Sequence, residues 1–300
     1  MRVVFIGTGA IAVPALRMLR AKHDLAAVIT QPDQPAGRKQ RITPPPIKMA
    51  MTGNAVVILQ PPRLRSDDII AKLRALNPEV VVVMAYGQIL PRTLLQIPRF
   101  GCLNLHASLL PRWRGAAPIQ AAIAAGDHES GITVMYMNED LDAGDILLQR
   151  RIDIEPVATG GSLHDRIASL APEALVDALT LLQNGSAPRL PQENSLATYA
   201  PKLEREHSRI DWDEAAEVIE RKIRAFNPWP VAFTTVRDAQ HGRERNLKIF
   251  RASLVPENHA GWVFKARGGG IAPLEVQLEG SRRMSAEEFL RGHPSMRTLF

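Results

Sequence analysis

The stretch Arg2-Val3-Val4-Phe5-Ile6-Gly7-Thr8-Gly9-Ala10-Ile11-Ala12 is an apolar, β-branched run closed by a glycine turn, and residues 11–22 then carry apolar side chains at helical spacing. A strand that turns straight into a helix is the first unit of an α/β fold. The same alternation continues outward from it. Short β-branched runs at 25–30, 56–59, 80–85, 101–106, 131–137 and 145–153 predict further strands with helices between them. A mostly parallel sheet covered by helices on both faces requires that pattern. Ser66-Asp67-Asp68 places a cap and two acids at the positive end of a helix that should stop near Leu76. Gly160-Gly161-Ser162 opens another, which runs to about Leu182 before Asn184-Gly185 ends it.

The turn Gly7-Thr8-Gly9-Ala10-Ile11-Ala12 also satisfies G-x-G-x-x-A, the glycine pattern of dinucleotide sites. Such a site needs an acid at the end of the second strand for the ribose hydroxyls. Ile29-Thr30-Gln31-Pro32 stands there, with Asp33 beyond it. A tight turn that needs small residues is therefore the preferred reading over a nicotinamide dehydrogenase.

Beyond residue 184 the chain becomes polar and irregular, with Pro188, Pro191 and Pro201, so residues 1–185 are read as one domain and 186–207 as a linker. Residues 208–300 form the second domain. A helix at 213–226, strands at 231–236, 246–254, 261–267 and 271–278, and a last helix at 285–291 suggest a small antiparallel barrel.

Hydrophobic residues at 45% and charged residues at 23% exclude fibrous and disordered classes. No apolar run approaches the roughly 20 residues of a membrane span. The single cysteine, Cys102, rules out a disulfide framework and, with no signal-peptide pattern at the N-terminus, predicts the cytosol. No H-E-x-x-H, paired cysteine or histidine cluster offers metal ligands, and neither G-x-S-x-G nor a P-loop lysine is present.

The richest stretch is Asn104-Leu105-His106-Ala107-Ser108-Leu109-Leu110-Pro111-Arg112-Trp113-Arg114-Gly115. It begins at the C-terminal end of a predicted buried strand, where open α/β sheets bind their ligands. Asn104 and His106 are two apart, so an extended strand sends both side chains to one face. The Ser-Leu-Leu-Pro turn suits a flat heterocycle, and Arg112 and Arg114 are read as charge at its rim. A carboxylate partner is available in Leu141-Asp142-Ala143-Gly144-Asp145, where Asp145 is read as a turn former. Upstream, Arg38, Lys39, Arg41 and Lys48 oppose only Asp33 within 30–50, a local +3 that is half the net +6 of the chain. That proline-braced loop could meet a phosphate backbone.

These residues together resemble the methionyl-tRNA formyltransferases along nearly the whole chain. The matching stretches are Gln31-Pro32-Asp33 with Pro35-Ala36-Gly37-Arg38, Ala85-Tyr86-Gly87-Gln88-Ile89-Leu90-Pro91, residues 104–120, 141–145 and 209–212, and Ala225-Phe226-Asn227-Pro228-Trp229-Pro230. The resemblance implies a Rossmann-like formyltransferase domain and a C-terminal barrel of the oligonucleotide-binding type. It also implies 10-formyltetrahydrofolate as donor and initiator Met-tRNA as acceptor. The family's catalytic groups fall on Asn104, His106 and Asp142. Its folate-binding turn falls on Ser108, Leu109, Leu110 and Pro111, and its pterin pocket on Tyr86, Gly87, Gln88, Ile89, Leu90 and Pro91. Its tRNA-reaching loop falls on Arg38, Lys39 and Arg41. Ala107 and Ala143 depart from the family's Gly and Thr. A monomer is expected. The competing reading is a folate-dependent sugar-amine N-formyltransferase, which the basic loop disfavours; a non-catalytic RNA-binding protein is a weaker third.

Overall fold

The computed structural model describes residues 1–37, 39–238, 243–256, 259 and 261–294. In chain order the first half contains β1 (Arg2–Gly7), α1 (Val13–Lys22), β2 (Asp24–Ile29), β3 (Gln34–Ala36), β4 (Arg41–Thr43), α2 (Pro46–Ala50), β5 (Val57–Leu59), α3 (Asp67–Leu76), β6 (Val80–Met84), α4 (Arg92–Leu95) and β7 (Cys102–His106). It continues through β8 (Arg114–Gly115), α5 (Pro118–Ala125), β9 (Glu129–Tyr136), β10 (Ile146–Asp153) and α6 (Gly160–Gln183). Seven strands form one sheet in the order β10-β9-β7-β6-β1-β2-β5. The pairs β7–β6, β6–β1, β1–β2 and β2–β5 are parallel, and β9 runs antiparallel to β7.

The sequence dictates this arrangement through burial. Val80–Met84 is buried at every position, as a central strand covered on both faces must be. In this half the expected strands all form, with ends shifted by at most two residues. Helix α3 begins at Asp67 as expected, with Asp67 and Asp68 in its first turn, although the Ser66 side chain makes no capping bond. It stops at Asn77, whose φ of 45° is left-handed.

The glycine turn after β1 is structural. A Cβ on Gly7 would lie 2.7 Å from Met84 O. The amides of Thr8 and Gly9 both donate to Ala85 O, at 3.2 and 3.3 Å, so they are already committed to the neighbouring strand end.

By compactness the chain divides into two units. Met1–Pro118, Ser130–Ile152 and His164–Ala200 make the first, while Ile119–Glu129, Asp153–Leu163 and Pro201–Phe300 make the second. Residues 189–200, within the stretch read as a linker, are hydrogen-bonded into the first unit, where β11 (Tyr199–Ala200) pairs parallel with β8. The second unit holds α7 (Ala216–Ala225), β12 (Phe233–Asp238), β13 (Arg243–Val255), β14 (Phe264–Ala266), β15 (Gly269–Leu278), β16 (Met284–Ser285) and α8 (Ala286–Gly292). Its strands pair antiparallel in the order β12-β13-β15-β14, with β16 on β15. Trp212 stacks on Phe264 at 4.7 Å and Trp262 on Phe289 at 5.3 Å between ring centroids. Ile219 and Ile223, four apart on α7, are buried in the same unit.

Cys102 lies on β7 at 2% exposure, and burial pushes its thiol up to about 12. A thiol that is neither exposed nor ionised does not react. The native protein should therefore resist maleimide at neutral pH and react only in denaturant; stoichiometric labelling of the native form by mass spectrometry would contradict the burial.

Candidate active site

The centre of the sheet sets the site. Strand β7 has a parallel neighbour on one side and an antiparallel one on the other, with Asn104 opposite Val83 and Met135. Leu103 and Leu105 are buried towards one face, which leaves Asn104 and His106 to the other. The loop between β9 and β10 then carries Asp142 to them.

The carboxylate is the hub. Asn104 Nδ2 donates to Asp142 Oδ1 at 3.2 Å, and the Gly115 amide donates to Oδ2 at 2.8 Å. His106 Nδ1 stands 3.6 Å from Oδ2, while its Nε2 lies 2.8 Å from Trp113 O. A carbonyl only accepts, so Nε2 carries the hydrogen and the neutral ring turns the Nδ1 lone pair towards the carboxylate. If Nδ1 gained a proton, it would face that carboxylate as a charge-assisted donor. Asn104 Nδ2 keeps a second hydrogen for another acceptor, and a carboxylate with about four lone-pair sites has used two. His106 is 6% exposed. The expected trio is thus brought together.

The Ser108–Pro111 turn is fixed from below. Thr133 Oγ1 donates to Ser108 O at 2.6 Å and accepts from the Leu110 amide at 3.1 Å. Gln149 Nε2 reaches Leu110 O at 2.8 Å. The Ser108 hydroxyl donates to Arg112 O at 2.6 Å, inside the turn. Thr133 and Gln149 escaped sequence reading because a strand pattern marks their faces but not their partners.

Among the residues assigned to the pterin pocket, Tyr86 and Leu90 are buried in the core, and Gln88 and Ile89 line a pocket of about 500 Å³ together with Pro62, Arg63, Leu64 and Arg65. Gly87 and Pro91 flank them. The Tyr86 hydroxyl is buried with no hydrogen-bond partner, and burial pushes it up to about 12. Gln31 Nε2 donates to Tyr86 O at 3.1 Å, which ties the Gln31-Pro32-Asp33 segment to this stretch.

Two charge assignments change. Arg114, read as a rim charge, is buried at 4% exposure beneath residues 192–194, because its guanidinium is held by the amide oxygens of Gln192 and Asn194. Only Arg112 is exposed, over the Trp113 ring at 4.8 Å. In the basic loop, Lys48 pairs with Asp33 at 2.8 Å. That ammonium and the Gln60 amide hold the Asp33 carboxyl below its ordinary value. The remaining charge sits on the β3–β4 hairpin, where Lys39 and Arg41 are exposed. Arg38 lies outside the described residues. Among the described residues no three His, Cys, Asp or Glu side chains group to hold a metal, and no helix is long and apolar enough to cross a membrane.

Comparison with known proteins adds independent findings. Residues 1–179 match the formyl transferase family and residues 202–294 the formyl transferase C-terminal domain. The chain is 46% identical to a methionyl-tRNA formyltransferase of Akkermansia muciniphila, covering 100% of this chain and 99% of that one. It is 52% identical to one from Pseudomonas fluorescens, covering 85% and 79%. Among solved structures it is similar in fold to WlaRD, a sugar 3N-formyl transferase solved in the presence of dTDP and 5-N-formyl-THF, with TM-score 0.65, 18% identity and coverage of 94% and 99%. It is also similar to a methionyl-tRNA formyltransferase from Clostridium thermocellum, with TM-score 0.60, 19% identity and coverage of 93% and 98%.

Proposed function

Since the chain belongs to the methionyl-tRNA formyltransferases, we propose that Asn104, His106 and Asp142 are the groups through which it performs the family's reaction. That reaction transfers a formyl group to the amino group of the methionyl moiety of initiator Met-tRNA, for translation initiation. The proposed donor is 10-formyltetrahydrofolate, which supplies a formyl carbon on a nitrogen leaving group. The pocket beside Gln88 and Ile89 and the orphaned Tyr86 hydroxyl support a folate along 86–91, and the turn at 108–111 is proposed to complete its site.

Attack by the amine leaves negative charge on the formyl oxygen and a proton on the amine. The free hydrogen of Asn104 Nδ2 answers the first need, since one such donor is worth roughly 10²–10³ in rate. The pair His106–Asp142 answers the second: the carboxylate, which has lone pairs open, takes the proton and shares it with His106 Nδ1 3.6 Å away. As the tetrahedral species collapses, the bond from the formyl carbon to the folate nitrogen breaks and that nitrogen leaves with a proton. The observation that carries the assignment is this convergence of carboxamide, imidazole and carboxylate at the C-terminal end of β7. An assay offering labelled 10-formyl donor with charged initiator tRNA or with a nucleotide-linked amino sugar tests it. Formylation of the sugar alone would overturn the reading.

Residues 1–185 are proposed to carry the transfer, 186–207 to connect while packing on that domain through 189–200, and 208–300 to hold the tRNA, with the protein a cytoplasmic monomer. Crosslinks from bound tRNA confined to 1–185, or a dimer in sedimentation, would contradict these parts. The hairpin residues Lys39 and Arg41, together with Arg38, are proposed to meet tRNA phosphates. Lys39→Ala with Arg41→Ala should weaken tRNA binding and flatten the slope of log affinity against log salt by roughly 0.7–0.9 per lost contact. An unchanged slope removes them from the interface.

A further inference from the structure

We propose that Gln192, with Arg114, is a positioning residue for the transfer: it fixes the distance between His106 and Asp142. The inference rests on the reading of Asn104, His106 and Asp142 as the reacting groups. Gln192 Nε2 donates to Asp142 O at 2.9 Å and Gly144 O at 2.8 Å, and its Oε1 accepts from Arg114 Nε at 3.1 Å and Nη2 at 2.8 Å. Both amide hydrogens and both oxygen lone pairs are therefore used, and the amide has one sensible orientation, because a flip would turn its NH₂ against the guanidinium.

The placement of these bonds matters more than their number. Arg114 lies between Trp113, whose carbonyl takes the His106 Nε2 hydrogen, and Gly115, whose amide holds the Asp142 carboxylate. Gln192 thus joins the backbone of the residue that carries the carboxylate to the segment that holds the imidazole. Asp142 has φ 49°, a left-handed conformation that a non-glycine residue keeps only when its surroundings impose it. The rest of the segment is tied down on both sides: Leu190 and Ile146 exchange backbone bonds at 2.8 and 3.0 Å, and the Trp113 amide donates to Thr198 Oγ1 at 2.9 Å.

Gln192→Glu separates positioning from folding. It keeps an oxygen for Arg114 and adds a charge to that contact, but sets the other oxygen against the Asp142 and Gly144 carbonyls. The expected result is a Tm near the parent's, KM values for both substrates within about threefold, and kcat down about 10- to 100-fold, since displacement by an ångström can cost roughly 10². The pH profile of kcat should shift with it. Gln192→Met, close in shape, should lower kcat as much. A core variant of equal Tm loss, such as Leu19→Val, should keep parental kcat and pH profile. Parental kcat in either folded Gln192 variant, a fall matched by the core control, or failure of both Gln192 variants to fold overturns the proposal. Failure of the underlying reading looks different: alanine variants at Asn104, His106 and Asp142 would then keep turnover in the parent.

Discussion

Asp142→Asn is expected to lower kcat for formyl transfer by about 10³-fold or more while the protein stays folded. The substitution keeps the shape and removes the charge. In the parent, the carboxylate accepts from Asn104 Nδ2 and the Gly115 amide and faces His106 Nδ1. With an amide in its place, one of those donors meets an NH₂ group, and a protonated His106 loses its counter-charge. Two effects combine: loss of proton removal, worth roughly 10²–10⁴, and misplacement of the Asn104 donor, worth roughly 10²–10³. They act as a unit, so the losses should not multiply in full. Asn104→Ala and His106→Ala should each cost at least about 10². Single-turnover rates at saturating substrates are the measurement, with circular dichroism as the folding control. Any folded variant within tenfold of the parent loses its place in the chemistry.

Gly144→Ala should be the most damaging substitution of a single small residue in the first unit. A Cβ there would lie 1.8 Å from Tyr136 O, far inside contact distance, and that oxygen belongs to backbone that cannot swing away. The loop must therefore lift off β9, which breaks the Gln192 bond to Gly144 O and displaces Asp142. Overpacking against backbone costs about 3 kcal/mol or more, which for a unit of this size lowers Tm by roughly 6 °C or more. Gly53→Ala provides the contrast. Nothing lies within 4 Å of its added Cβ, and only its φ of +79° is unfavourable, so about 1 kcal/mol is expected. Equal melting behaviour of the two variants would show that the loop can yield.

The parallel strands were legible because burial on both faces writes a continuous apolar run, as in Val80–Met84. Asn104 and His106 were legible as partners because strand geometry fixes the direction of residues two apart. The β3–β4 hairpin was missed: its strands have three residues each, all exposed, and contain Pro35, so they leave no alternation to read. Residues 189–200 were read as linker for a related reason. A polar stretch held by side-chain amides has no period, and the tie from Gln192 to Asp142 joins positions 50 apart. Arg114 shows the same limit, since nothing local distinguishes a charge at a rim from one covered by a distant segment.

The sealed thiol of Cys102 has a practical corollary. With no second cysteine in the chain, a sulfhydryl introduced by Ile42→Cys or Leu254→Cys, both exposed positions in different units, becomes the sole attachment point for a probe. A fluorophore placed on either unit this way reports tRNA binding there, without first engineering a cysteine-free background.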